Sequence, residues 1–175
     1  MRVRPFLAPQ LLVPVAILTA LAIVGRVVFA PLANFKPVTA IVIICGLVYG
    51  RRAGLACGAV STLVSNCFFG QGPWTLLQLV LWAAIGWLAG LLAPRRRLAV
   101  IIFGVVASLA FGFISDSFFV FAFLRPQSLA LVWAGYAAGV IPNLIHAAST
   151  LVFLALLWLP WSTKLRRIRR KYAML

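Results

Sequence analysis

Few residues in this chain can do chemistry, and two of them stand alone. Asp116 is the one acidic residue and His146 the one histidine among 175 residues. Asp116 sits in Ser115-Asp116-Ser117 within a long apolar stretch, where an ionisable group is costly and marks a functional site by default. The competing reading is a structural ion pair or a hydrogen-bonded neutral acid. His146 follows Asn143 by three residues, so the two share a helix face with Thr150. A lone intramembrane histidine is more often a hydrogen-bonded core residue than a ligand. Asn143, beside Pro142 at an expected kink, reads as a pocket residue. A third group is concentrated in Ser65-Asn66-Cys67-Phe68-Phe69-Gly70-Gln71-Gly72-Pro73-Trp74-Thr75 and runs on to Gln78 and Trp82. Gly70, Gly72 and Pro73 force the backbone to turn there. Trp74, Gln78 and Trp82 recur every four residues and share one helix face. Irregular polar backbone at membrane depth lines cavities, so this turn reads as the wall of a binding site. The plainer alternative is an interfacial turn with an aromatic anchor.

The missing residue types narrow the chemistry further. A single carboxylate excludes a two-carboxylate acid–base pair and a carboxylate-bridged metal pair. No phosphate-binding G-x-x-x-x-G-K-[ST], nucleophile elbow or H-E-x-x-H occurs. The expectation is therefore no catalytic residue, no metal and no intrinsic cofactor. Cys45, Cys57 and Cys67 form no C-x-x-C pair and read as small packing residues.

The elements that must position these residues are membrane helices. With 65% hydrophobic residues the chain reads as an all-α integral membrane protein forming one domain over residues 1–175. Spans are expected at about 7–29, 38–50, 53–69, 75–93, 98–123 and 129–159, with a basic cytoplasmic tail over 160–175. The last stretch is long, and Pro142 is expected to kink or divide it. The N-terminus resembles a signal peptide superficially, but its apolar run is long enough to span and reads as a retained first helix. The net charge of +15 invites a nucleic-acid partner, yet the Lys and Arg residues flank apolar segments, as topology requires. With both termini inside, the inner segments hold all of the 16 basic residues except Arg26, Lys36 and Arg125. The turn at Gly70–Pro73 then faces outward. The counter-charge of Asp116 is expected among those three.

Small residues recur at spacing four: Ala16 and Ala20; Gly50, Gly54 and Gly58; Gly86 and Gly90; Gly135 and Gly139. Such stripes let helices approach closely in lipid. The default reading is internal packing, and docking of a separate membrane partner is the alternative.

A six-span bundle of this size resembles the substrate-binding S components of energy-coupling factor transporters, the vitamin importers of prokaryotes. The resemblance covers nearly the whole chain. It rests on Lys36-Pro37-Val38-Thr39-Ala40 leading to Gly46-Leu47-Val48-Tyr49-Gly50, and above all on Phe69-Gly70-Gln71-Gly72-Pro73-Trp74-Thr75. Asp116-Ser117, Asn143 to Thr150 and the closing Arg170-Lys171-Tyr172 add to it. Ala16 and Ala20 match the small-residue motif by which S components dock their membrane scaffold. The set is most similar to the cobalamin-specific type. The resemblance implies a plasma-membrane subunit, not an enzyme, that binds cobalamin or a related corrinoid from outside and delivers it inward by toppling. Its implied partners are a transmembrane T scaffold and two cytoplasmic ATPases, which would hold the ATP and Mg. Lys36, Asn66, Gln71, Trp74, Gln78, Trp82, Asp116, Asn143 and His146 are the residues expected to line the substrate site. The trptophan rings would stack on a flat ring system, and the amides would pair with substrate amides. The alternatives are an S component for another vitamin or precursor, a membrane enzyme using Asp116 and His146, and a ligand-free scaffold.

Overall fold

The run Val38–Tyr49 offers almost no polar side chain on any face, and a helix apolar all round belongs inside a bundle. It forms helix α2, and each of its 12 residues is buried. The computed structural model of the chain describes residues 6–92 and 97–172. Around α2 stand α1 (Pro9–Val28), α3 (Arg51–Phe69), α4 (Pro73–Leu91), α5 (Arg97–Phe119) and α6 (Leu129–Lys171). No strand occurs among the described residues. α2 touches every other helix, while the broadest contacts join α3 to α4 and α5 to α6. The contact between α4 and α5 is slight, which leaves a gap between the two pairs.

The turns follow from glycine chemistry. Gly50 alone links α2 to α3, with φ at +93°. At a ψ of 173° this is a conformation that essentially only glycine adopts without strain. Gly70, with φ at +91°, ends α3 in the same way. α4 then starts on Pro73, which needs no amide donor in the first turn. The Gly72 N–H donates to Thr75 Oγ1 at 3.2 Å and fixes the entry of the chain.

The glycine stripes set how closely the helices approach. A Cβ on Gly46 or Gly54 would strike the backbone of Gly86, and one on Gly58 would strike the backbone of Trp82. α2, α3 and α4 therefore pack backbone to backbone. Ala16 and Ala20 differ, since both face outward from α1.

Among the described residues, four helices are long and apolar enough to cross a membrane: Pro9–Val28, Pro73–Leu91, Arg97–Leu124 and Leu129–Lys171. α2 is apolar but short. α3 is amphipathic, turning Ser61, Thr62, Ser65 and Asn66 inward. α6 is one helix of 43 residues, so Pro142 does not divide it, and the basic residues after 160 continue the same helix. Neighbouring helices can satisfy the carbonyls that a proline leaves free. Arg169, Arg170 and Lys171 in the last turn also complement the helix dipole. Of the basic residues placed on the inner side, Arg2, Arg4, Arg95 and Arg96 lie outside the described residues.

Candidate functional site

Arg26, near the end of α1, is buried at 7% exposure and organises the polar interior. Its Nη1 donates to Ser65 Oγ at 2.5 Å and to Asn66 Oδ1 at 2.7 Å. Its Nη2 donates to Gln78 Oε1 at 3.2 Å. The guanidinium also lies over the rings of Trp82, at 4.7 Å, and Phe69, at 5.0 Å. The charge is thus held by neutral oxygens and aromatic faces, an arrangement that suits a planar, weakly hydrated cation better than an ammonium. Asn66 closes the network by donating from Nδ2 to Thr75 Oγ1 and Gln78 Oε1, each at 3.1 Å. α1, α3 and α4 are tied together at the turn. In the loop after α1, Lys36 places its ammonium 5.0 Å from the centre of the Phe69 ring. Burial, and then the nearby charge of Arg26, lower its pKa from the ordinary lysine value.

A second chain of polar contacts runs deeper. Trp82 Nε1 donates to Thr39 Oγ1 at 3.0 Å, and that hydroxyl lies 2.8 Å from His146 Nε2. The indole can only donate, so Thr39 accepts there and its own proton is available to the imidazole. Phe111 packs against both Trp82 and His146, the latter edge-on. Thr39→Val is expected to leave the indole N–H and the imidazole nitrogen unpaired. The expected cost is about 1–3 kcal/mol, read as a lower Tm of the purified protein in detergent.

The third cluster joins α5 to α6. Asn143 Nδ2 donates to Asp116 Oδ2 at 2.6 Å. Two glycines make room for the pair, since a Cβ at Gly112 would overlap the Asn143 amide and one at Gly139 the Asp116 carboxylate. Asparagine is therefore the partner the structure gives Asp116, in place of the basic residue expected. Beside this pair, the gap between α4 and α5 holds a cavity of about 490 Å³. Trp74, Leu77 and Gln78 line one wall, and Ser115, Asp116, Phe118, Phe119 and Phe123 the other. Phe123 is carried by a single π-helical turn, Val120–Leu124, that ends on Arg125 in the left-handed region. Gln78 links cavity and network, because its carbonyl oxygen accepts from both Arg26 and Asn66.

The candidates from the sequence thus fall into three groups. Trp74, Gln78 and Asp116 face the cavity, with Asn66 and Asn143 one bond behind them. Trp82 and His146 are buried in the deeper chain, and Lys36 stands over Phe69 near Arg26. Gln71 is apart from all of these: from the turn, its amide donates back to the Leu63 carbonyl of α3 at 3.1 Å. Arg26 entered the sequence reading only as a possible counter-ion, and its central place was missed. The available signal was an arginine within an apolar run. Phe118, Phe119 and Phe123 gave no signal among so many aromatic residues.

Asp116 is held by Asn143, and His146 Nε2 lies against the Thr39 hydroxyl, buried beside Phe111. Among the described residues no group of three or more His, Cys, Asp or Glu could hold a metal. Ala16 and Ala20 line a separate groove of about 350 Å³ with Leu12, Thr19, Ala56 and Val60.

Fold and composition define an all-helical membrane protein. The chain belongs to DUF6580, a family of unknown function whose model matches residues 7–170. No curated protein and no solved structure matches it.

Proposed function

We propose that this protein is the substrate-binding S component of an energy-coupling-factor importer in a prokaryotic plasma membrane. In this reading six helices cross the bilayer, both termini lie inside, and the α4–α5 cavity receives a vitamin from outside. The observation that carries the reading is the meeting of Trp74, Gln78 and Asp116 on one cavity at the end of the bundle away from the basic helix ends. Arg51 and Arg52 begin α3, Arg97 begins α5, and Lys164 to Lys171 close α6. That end is the cytoplasmic one by the positive-inside rule.

The cavity's dimensions suggest the substrate class. About 490 Å³ is the size that holds a drug-sized molecule. Trp74, Phe119 and Phe123 offer ring faces, and Asp116 offers a carboxylate to a donor on the ligand. A flat, ring-bearing vitamin or precursor is comparable in size with this volume. Cobalamin, the substrate implied by the resemblance, is larger and requires the α4–α5 gap to widen. The T scaffold would dock on the exposed Ala16 and Ala20 face, and two ATPases would supply the energy for toppling.

Two sets of variants separate binding from coupling. Trp74→Ala and Asp116→Ala are expected to weaken vitamin binding to the purified chain by about tenfold or more. Ala16→Leu and Ala20→Leu should leave binding intact and abolish uptake in cells that carry the scaffold and ATPases. Normal binding in the first pair, or normal uptake in the second, contradicts the corresponding assignment.

A further inference from the structure

The basic end of the bundle holds a second cavity of about 670 Å³, where the C-terminal ends of α2 and α4 meet the second half of α6. Its walls divide by chemistry. Leu47, Leu92 and Trp158 make an apolar side, while Ser162, Arg166 and Arg169 make a polar one. Ser162, Arg166 and Arg169 recur at helical spacing on one stripe of α6. Arg169 Nη1 donates to the Val48 carbonyl at 2.6 Å, capping the end of α2. Its Nε is buried and has no hydrogen-bond partner among the described residues. Arg166 extends over the Trp158 ring at 5.8 Å. Ser162 is held only by a long bond of 3.4 Å to the Leu159 carbonyl.

Among the described residues these donors have no acidic side chain to meet. The one acidic side chain of the protein, Asp116, lines the other cavity and bonds Asn143. An unspent buried N–H beside a second guanidinium and a hydroxyl calls for an anion from outside the chain. We propose that this cavity is a phosphate-binding site, with the phosphate lodged between the guanidinium groups of Arg166 and Arg169 and the Ser162 hydroxyl. The apolar wall and the position at the basic end of a membrane bundle suit the headgroup of an anionic phospholipid, its acyl chain lying along Leu47, Leu92 and Trp158. Free phosphate presents the same chemistry without the chain. The inference needs only a membrane protein and stands apart from the transport reading.

The test uses the full chain in nanodiscs of phosphatidylcholine with increasing phosphatidylglycerol, bound lipid being counted by native mass spectrometry. Wild type is expected to retain phosphatidylglycerol preferentially. Arg166→Gln combined with Ser162→Ala should reduce that retention by about tenfold. Arg167→Gln combined with Arg170→Gln removes more charge from exposed positions of the same helix and should retain the lipid. Arg169 is left intact because it also caps α2. A Tm raised by inorganic phosphate in pure phosphatidylcholine discs, and lost in the Arg166/Ser162 variant, would assign the site to free phosphate. No lipid preference and no phosphate response, or equal loss in both double variants, overturns the proposal.

Discussion

Arg26→Ala is expected to destabilise the protein by about 3–5 kcal/mol and to abolish ligand binding at the α4–α5 cavity. The substitution strips the donor from Ser65, Asn66 and Gln78 together, and each buried acceptor left unpaired costs about 1–3 kcal/mol. Gln78 Oε1 still accepts from Asn66 Nδ2, which keeps the total below the simple sum. Gln78 is the cavity's link to this network, and without Arg26 its side chain is held by the Asn66 amide alone. Arg26→Lys should recover only part of the loss, because one ammonium cannot reproduce the planar fork or its contact with two rings. Thermal unfolding in detergent reads the stability, and calorimetry on the folded fraction reads the binding. An Arg26→Ala protein with unchanged Tm would show that the network contributes nothing.

The second large effect is expected at the contact of α3 with α4. Gly54→Leu or Gly86→Leu should prevent folding, so that little monodisperse protein survives extraction. Overpacking a core with flexible neighbours costs about 1–3 kcal/mol. Here the new side chain meets the backbone of the facing helix, and whole helices must separate. Gly50→Ala makes the contrast. No atom lies within 4 Å of the Cβ it would add, so its cost comes only from φ at +93°, about 1–3 kcal/mol. Size-exclusion profiles of the three variants distinguish a clash from backbone strain. Gly54→Leu behaving no worse than Gly50→Ala would contradict the packing described.

Much of the fold was legible because each helix is bounded by chemistry that acts locally. Gly50, Gly70 and Pro73 mark turns whatever surrounds them, and the unbroken apolar run of Val38–Tyr49 states its own burial. The glycine stripes announced close approach, though only the structure shows that those of α3 and α4 meet each other while Ala16 and Ala20 face outward. Periodicity cannot show whether a proline ends a helix or is absorbed into it, and α6 runs on past Pro142 and Pro160. The site was legible in part. Asp116, Trp74 and Gln78 stood out by rarity or by spacing. The pairing of Asp116 with Asn143 depends on two glycines from different helices, and the place of Arg26 depends on three acceptors from α3 and α4. Those are long-range facts that local spacing does not encode. Gln71 shows the converse: a polar residue in the turn is spent on a carbonyl of the preceding helix.

The most direct measurement of the central claim is calorimetric titration of the detergent-purified chain with cobalamin, cobinamide, riboflavin and folate, repeated on Asp116→Ala. Saturable one-to-one binding of at least one of these ring-bearing compounds is expected, weakened about tenfold or more in the variant. Binding of none of them, or binding that Asp116→Ala leaves unchanged, would contradict the assignment of the α4–α5 cavity as the vitamin site.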